Sequence, residues 1–214
     1  MFFRFVGTIR VEEQTITLRK TSSKWRLLMR EFILYSRKGY TGSSFDNLRD
    51  AGRLDVVHEC VVASLFLSHG LRRNVAFNAI LSGPPNPPLH LKVDGQTLYD
   101  VRTDQKTWED IIRKVLSGGN HPGISLQKTS FEALLKEKAE GGRIFVLEEG
   151  GKDIEVVEMD DRPVFVLGDH IGLPKTVESF ALRYGEKVSL GKQPYLAASC
   201  ITILNFMMDK RKLC

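Results

Sequence analysis

Short apolar runs broken by glycine, proline and hydroxyl residues recur along the chain, alternating between a two-residue and a helical period. Met29-Arg-Glu-Phe-Ile-Leu-Tyr35 and Asn74 to Leu81 read as strands. Between them, Leu54, Val57, Val61 and Leu65 recur at helical spacing in the apolar stretch Leu54 to His69, which puts His58 and His69 on roughly one face. Leu89 to Val93 and Gln96 to Val101 read as a hairpin about Asp94-Gly95. Trp108 to Leu116 is helical and stops at Gly118-Gly119. Thr129-Ser-Phe-Glu132 is a capping-box pattern opening a helix to Ala139. Arg143 to Leu147, Pro163 to Leu167 and Lys187 to Leu190 read as further strands, and Asp153 to Val157 as another candidate. Helices are expected near Thr176 to Tyr184 and, after the Lys187 to Leu190 strand, to about Met208. This alternation predicts an α/β fold with a mostly parallel sheet.

Residues 1–28 carry a different pattern, with Thr8-Ile-Arg-Val and Gln14-Thr-Ile-Thr-Leu-Arg alternating as strands. They read as an N-terminal appendage, or as the product of an upstream start codon that is not used. Residues 29–214 read as a single domain.

Two bends near the C-terminus concentrate the chemistry. The apolar run in Pro163-Val-Phe-Val-Leu-Gly-Asp-His-Ile-Gly172 breaks into a glycine loop. Val188-Ser-Leu-Gly-Lys-Gln-Pro-Tyr195 repeats the passage from strand to loop to helix. In α/β proteins ligands bind at such carboxyl ends of strands.

The formal charge of +5 permits a polyanionic partner such as RNA without requiring one. Three cysteines, Cys60, Cys200 and Cys214, are too few for a disulfide framework and suit a reducing, cytoplasmic compartment. No apolar window is long enough to span a bilayer. No G-x-G-x-x-G follows a strand and no G-x-S-x-G elbow exists. Gly185 to Gln193 misses a P-loop by one spacer residue, and Gln193 stands where a magnesium-binding hydroxyl is needed. His58 and Cys60 lack two further ligands, so no metal is expected.

Gly52-Arg-Leu-Asp55, Phe66-Leu-Ser-His-Gly-Leu-Arg-Arg-Asn-Val75, Gly83-Pro-Pro-Asn-Pro-Pro88, Leu167-Gly-Asp-His-Ile-Gly172 and Cys200-Ile-Thr-Ile203, in this order, resemble the archaeal tRNA pseudouridine N1-methyltransferases of the knotted (SPOUT) superfamily. The resemblance runs from about Met29 to the C-terminus. It implies helices on both faces of the sheet, a deep C-terminal trefoil knot, a homodimer with the RNA site shared across its interface, and S-adenosylmethionine as methyl donor. The implied reaction methylates N1 of pseudouridine at position 54 of tRNA. The same chemistry on ribosomal RNA, or an RNA-binding module without activity, are the alternatives.

Under this resemblance Leu147, Gly168, Gly172, Ser189, Leu190, Gly191, Tyr195 and Cys200 line the donor pocket. Each has a plainer reading as well: core for Leu147, turn glycines for Gly168 and Gly172, a small buried hydrophobe for Cys200. Asp169 is expected to cap the turn. Asp55 is the candidate to take the N1 proton and Arg53 to stabilise charge developing on the base, although complementarity to the helix dipole alone would account for Asp55. Arg72 and Arg73 are candidate phosphate contacts or ordinary surface charge.

Overall fold

The computed structural model describes residues 29–211; the 1–28 appendage lies outside the described residues. The chain runs β1 (Arg30–Ser36), α1 (Leu54–Leu65), the two-residue strands β2 (Phe66–Leu67) and β3 (Gly70–Leu71), β4 (Val75–Leu81), β5 (Leu89–Asp94), α2 (Gln105–Leu116) and β6 (Ile124–Gln127). It continues through α3 (Phe131–Gly141), β7 (Arg143–Asp153), β8 (Pro163–Gly168), α4 (Lys175–Ala181), β9 (Gly185–Ser189) and α5 (Ala197–Arg211).

The seven-stranded sheet has the order β6-β5-β4-β1-β8-β7-β9. Its five-strand body from β4 to β9 is parallel, and β5 and β6 extend it antiparallel. Side chains alternate across the pleat. Phe32, Leu34, Phe145, Phe165 and Leu167 pack on one face with α1, α2 and α5. Ile33, Ile144, Val146, Val164 and Val166 pack on the other with α3 and α4. Phe32, Phe165 and Phe145 lie in register on neighbouring strands and stack at 5.6 and 5.5 Å between centroids. This ladder fixes β1, β8 and β7 side by side, so that their carboxyl ends open on one edge.

Four expectations need correction. No hairpin forms about Asp94-Gly95: β5 pairs with β4 and β6, and residues 96–101 form no strand. The Arg73 guanidinium donates to the carbonyls of Gly95 and Leu98, occupying groups that a returning strand would need. Helix α1 ends at Leu65, where Phe66–Leu67 and Gly70–Leu71 fold back on each other, so His69 lies beyond the helix. The cap of α3 is Ser130, one residue later than the capping box places it, with its Oγ accepting the Ala133 N–H at 3.2 Å. Residues 154–156 form a 3-10 turn rather than a strand, because Asp153 Oδ1 accepts the Glu155 N–H and turns the chain.

Candidate active site

The two C-terminal bends face one cavity of about 570 Å³, inside the ~300–1,000 Å³ range of small-molecule sites. β7 contributes Leu147. The end of β8 contributes Gly168 and the loop after it Gly172. The end of β9 contributes Ser189, the loop after it Leu190, Gly191 and Tyr195, and α5 Cys200. All eight positions singled out for the donor pocket therefore share one cavity wall.

The first bend is held by Asp169. Its Oδ2 accepts the Arg37 main-chain N–H at 2.8 Å and its Oδ1 that of Ile171 at 2.9 Å, while its own N–H donates to Tyr35. The carboxylate is about 1% exposed. It thus ties the end of β1 to the loop after β8. Gly168 has a steric reason within the protein: a Cβ there would lie 2.4 Å from the backbone of Gly172 and Leu173. Gly172 adopts a positive φ of 81°, a conformation that costs other residues. These two glycines serve the turn, and the turn shapes the cavity.

The second bend closes on itself. Ser189 Oγ donates to the Gly191 carbonyl at 2.8 Å and accepts the Gly191 N–H at 3.1 Å. The Cys200 Sγ lies 3.7 Å from the Tyr195 carbonyl. Burial pushes the Cys200 thiol up to about 11, so it is a neutral wall at physiological pH.

β7 supplies a feature the sequence analysis missed. Leu147 and Lys152 both pair with Val188, so the four residues between them leave the ladder as a bulge. A Cβ at Gly151 would meet the Val188 backbone at 2.3 Å, so glycine lets the bulge return close to β9. The bulge puts Glu148 and Glu149 on the cavity. Burial and then the nearby Glu178 charge raise the Glu148 carboxyl above its usual range. No local pattern in residues 148–151 shows that these carboxylates face a site.

Helix α1 closes the remaining side through Arg53, Val56 and Glu59, spaced three apart. Arg53 caps the helix with a left-handed backbone, φ 68°, a conformation uncommon outside glycine. A side chain at the preceding Gly52 would place its Cβ 1.7 Å from the Lys38 carbonyl oxygen. The loop after β1 therefore fixes where α1 begins. Arg53 Nε donates to Asp55 Oδ1 at 2.9 Å and Nη2 donates to Oδ2 at 3.0 Å. Burial acts to raise the Asp55 carboxyl, but the Arg53 hydrogen bonds and charge prevail and hold it below the usual range. Arg53 faces the cavity; Asp55 is not among its lining residues.

Arg72 and Arg73 lie elsewhere. Asp209 of α5 bridges Arg72 and the buried Arg30, and Arg73 holds the two carbonyls described above. Both guanidiniums have partners within the protein. Those partners are far away in sequence, and no local pattern announces them.

The cavity suits S-adenosylmethionine on its own chemistry. Leu147, Leu167, Val188 and Leu190 offer apolar walls for a ring. Glu148 and Glu149 offer acceptors for hydroxyls or a cation, and the two bends bring main-chain polar groups to the edge. Among the described residues no cluster of potential ligands could hold a metal ion, and no helix is long and apolar enough to cross a membrane.

Residues 29–213 match the model of a family described as "Putative SAM-dependent RNA methyltransferase". The chain is 37% identical over 205 residues to the tRNA (pseudouridine(54)-N(1))-methyltransferase of Methanocaldococcus jannaschii, covering 87% of this chain and 99% of that protein. It is 39% identical to the enzyme of the same name from Methanococcus maripaludis, covering 86% and 100%. The crystal structure of Archaeoglobus fulgidus Nep1 bound to S-adenosylhomocysteine superposes with a TM-score of 0.59 at 15% identity, over 76% of this chain and 73% of that one, a likeness of fold. With the family model spanning the whole described region and relatives matched over nearly their full length, the chain belongs to this family of S-adenosylmethionine-dependent RNA methyltransferases.

Proposed function

We propose that the protein methylates N1 of pseudouridine 54 in tRNA, with S-adenosylmethionine held between the two C-terminal bends. The observation that carries this reading is the shared cavity: the donor-pocket residues and Arg53 line one space. Bound there, the donor supplies an electrophilic methyl group on a sulfonium. Leu147, Leu190 and the main chain of the bends would hold its nucleoside, with Cys200 as a neutral wall.

The chain's own task is placement and charge. Holding nucleophile and methyl in line contributes several kcal/mol by proximity, up to about 7–11 in well-oriented cases. Arg53 stabilises negative charge gathering on the uracil ring as its imino proton leaves. Asp55, bidentate to Arg53, keeps that guanidinium aimed. This reading has the enzyme working in the cytoplasm as a homodimer, as the family resemblance implies.

The test is methyl transfer to a tRNA carrying pseudouridine at position 54, beside the same RNA with uridine there and a pseudouridine-containing ribosomal fragment. Nucleoside mass spectrometry should find N1-methylpseudouridine in the first alone. Methylation only of the ribosomal fragment would move the substrate; cofactor binding without transfer to any RNA would leave a binding module.

A further inference from the structure

The imino nitrogen of pseudouridine carries a proton, and methylation requires somewhere for it to go. Asp55 is poorly suited to receive it. Both its oxygens are engaged by Arg53, its basicity is depressed, and it does not line the cavity.

The carboxylates that do line the cavity are Glu59, Glu148, Glu149 and Asp169. Asp169 is ruled out by its hydrogen bonds, since each oxygen takes a main-chain N–H that holds the first bend. Glu148 and Glu149 project from the β7 bulge, against β9 and the donor walls Leu147 and Val188. Glu59 sits on α1, on the same wall as Arg53 and two helical steps along it, and is solvent-accessible. A base stabilised by Arg53 would thus have Glu59 on the same wall of the cavity.

We infer that Glu59 is the proton acceptor of the methyl transfer, an assignment that rests on the pseudouridine reading above. The N1–H bond breaks toward the Glu59 carboxylate. The nitrogen electron pair forms the new N–C bond to the methyl, and the electron pair of the breaking C–S bond stays on sulfur, leaving a neutral thioether. Glu59, now protonated, returns the proton to solvent through the open side of the cavity. Charge balances: one sulfonium cation and one carboxylate become a thioether and a carboxylic acid. The titratable and charged groups near Glu59 are Arg53, Asp55 and His58 on or at the start of its own helix, with Asp169, His170, Glu148 and Glu149 lining the same cavity.

The experiment compares wild type, Glu59→Gln and Glu59→Asp on pseudouridine-54 tRNA in single turnovers from neutral to alkaline pH, with calorimetry of S-adenosylhomocysteine on each. Glu59→Gln should lose about 100-fold or more in rate at neutral pH. It should regain much of that as the pH rises and the imino group ionises unaided, with unchanged affinity for S-adenosylhomocysteine. Glu59→Asp should fall between the two. A merely structural role would show no alkaline rescue. Transfer by Glu59→Gln at the wild-type rate, or a loss of homocysteine-product binding in it, overturns the inference alone. A wild type inactive on pseudouridine RNA overturns the substrate reading and this inference together.

Discussion

The Asp169 carboxylate accepts the Arg37 main-chain N–H at 2.8 Å, joining the end of β1 to the loop that follows β8. Because its second oxygen holds Ile171, one buried side chain sets the geometry of the first bend. Asp169→Ala strands two main-chain donors. It should destabilise the protein by at most about 2–6 kcal/mol, the sum of about 1–3 kcal/mol for each donor left buried and unpaired, and by less where these part-buried donors reach water; it should also weaken binding of S-adenosylhomocysteine. Denaturant titration and calorimetry measure the two effects. Asp169→Asn keeps an acceptor for one amide and should fall between.

Gly168 and Gly150 separate a required glycine from an incidental one. A Cβ at Gly168 meets backbone at 2.4 Å, whereas one at Gly150 meets nothing within 4 Å. Gly168→Val should lose S-adenosylhomocysteine affinity by more than tenfold and lower the melting temperature. Gly150→Ala should change neither. Differential scanning calorimetry with and without ligand checks both.

Arg53 and Asp55 should behave as one unit. Arg53→Ala removes the charge that faces the cavity, and Asp55→Ala frees the same guanidinium to wander. Each should cut single-turnover transfer by about 10²–10³-fold. The double variant should be little worse than either alone, since contacting residues are not additive. A double-mutant cycle on the transfer rate shows this directly, with S-adenosylhomocysteine affinity largely kept in all three.

His90 should make stability depend on pH. It is buried against Asn78, whose Oδ1 lies 2.9 Å from His90 Nε2, and Asn78 also donates to Glu31, which pairs with Lys138. Burial first, then the charge of Lys138, lowers the His90 pKa to about 4 from 6.5. The unfolded chain therefore binds a proton that the folded one does not between these values. Its contribution is complete above the unfolded value and is lost as the pH falls from about 6.5 toward 4, by at most about 3 kcal/mol. Urea midpoints measured across that window should fall with acid, and His90→Gln should flatten that part of the profile.

Much of this architecture was legible in the chain. Strands buried on both faces announce themselves as continuous apolar runs, and β1, β4 and β8 were read within a residue or two because α1 to α5 cover both sides of them. The glycine bends were legible for a related reason: Gly168 and Gly172 leave a mark in sequence because the backbone there admits no side chain or takes a positive φ. What depends on distant partners left no such mark. The false hairpin about Asp94-Gly95 followed a sound local rule that Arg73, more than twenty residues earlier, overrides by taking the Gly95 and Leu98 carbonyls. Likewise, Glu148, Glu149 and Glu59 look like ordinary surface charge until the bulge in β7 and the face of α1 are seen to border one cavity.

A crystal structure of the protein grown with S-adenosylhomocysteine decides whether the two C-terminal bends enclose the methyl donor. The ligand should lie between the loop Gly168 to Gly172 and the loop Ser189 to Tyr195, with Arg53 and Glu59 across from its sulfur. Ligand density seated at any other place on the chain, with this cavity left to solvent, would contradict it.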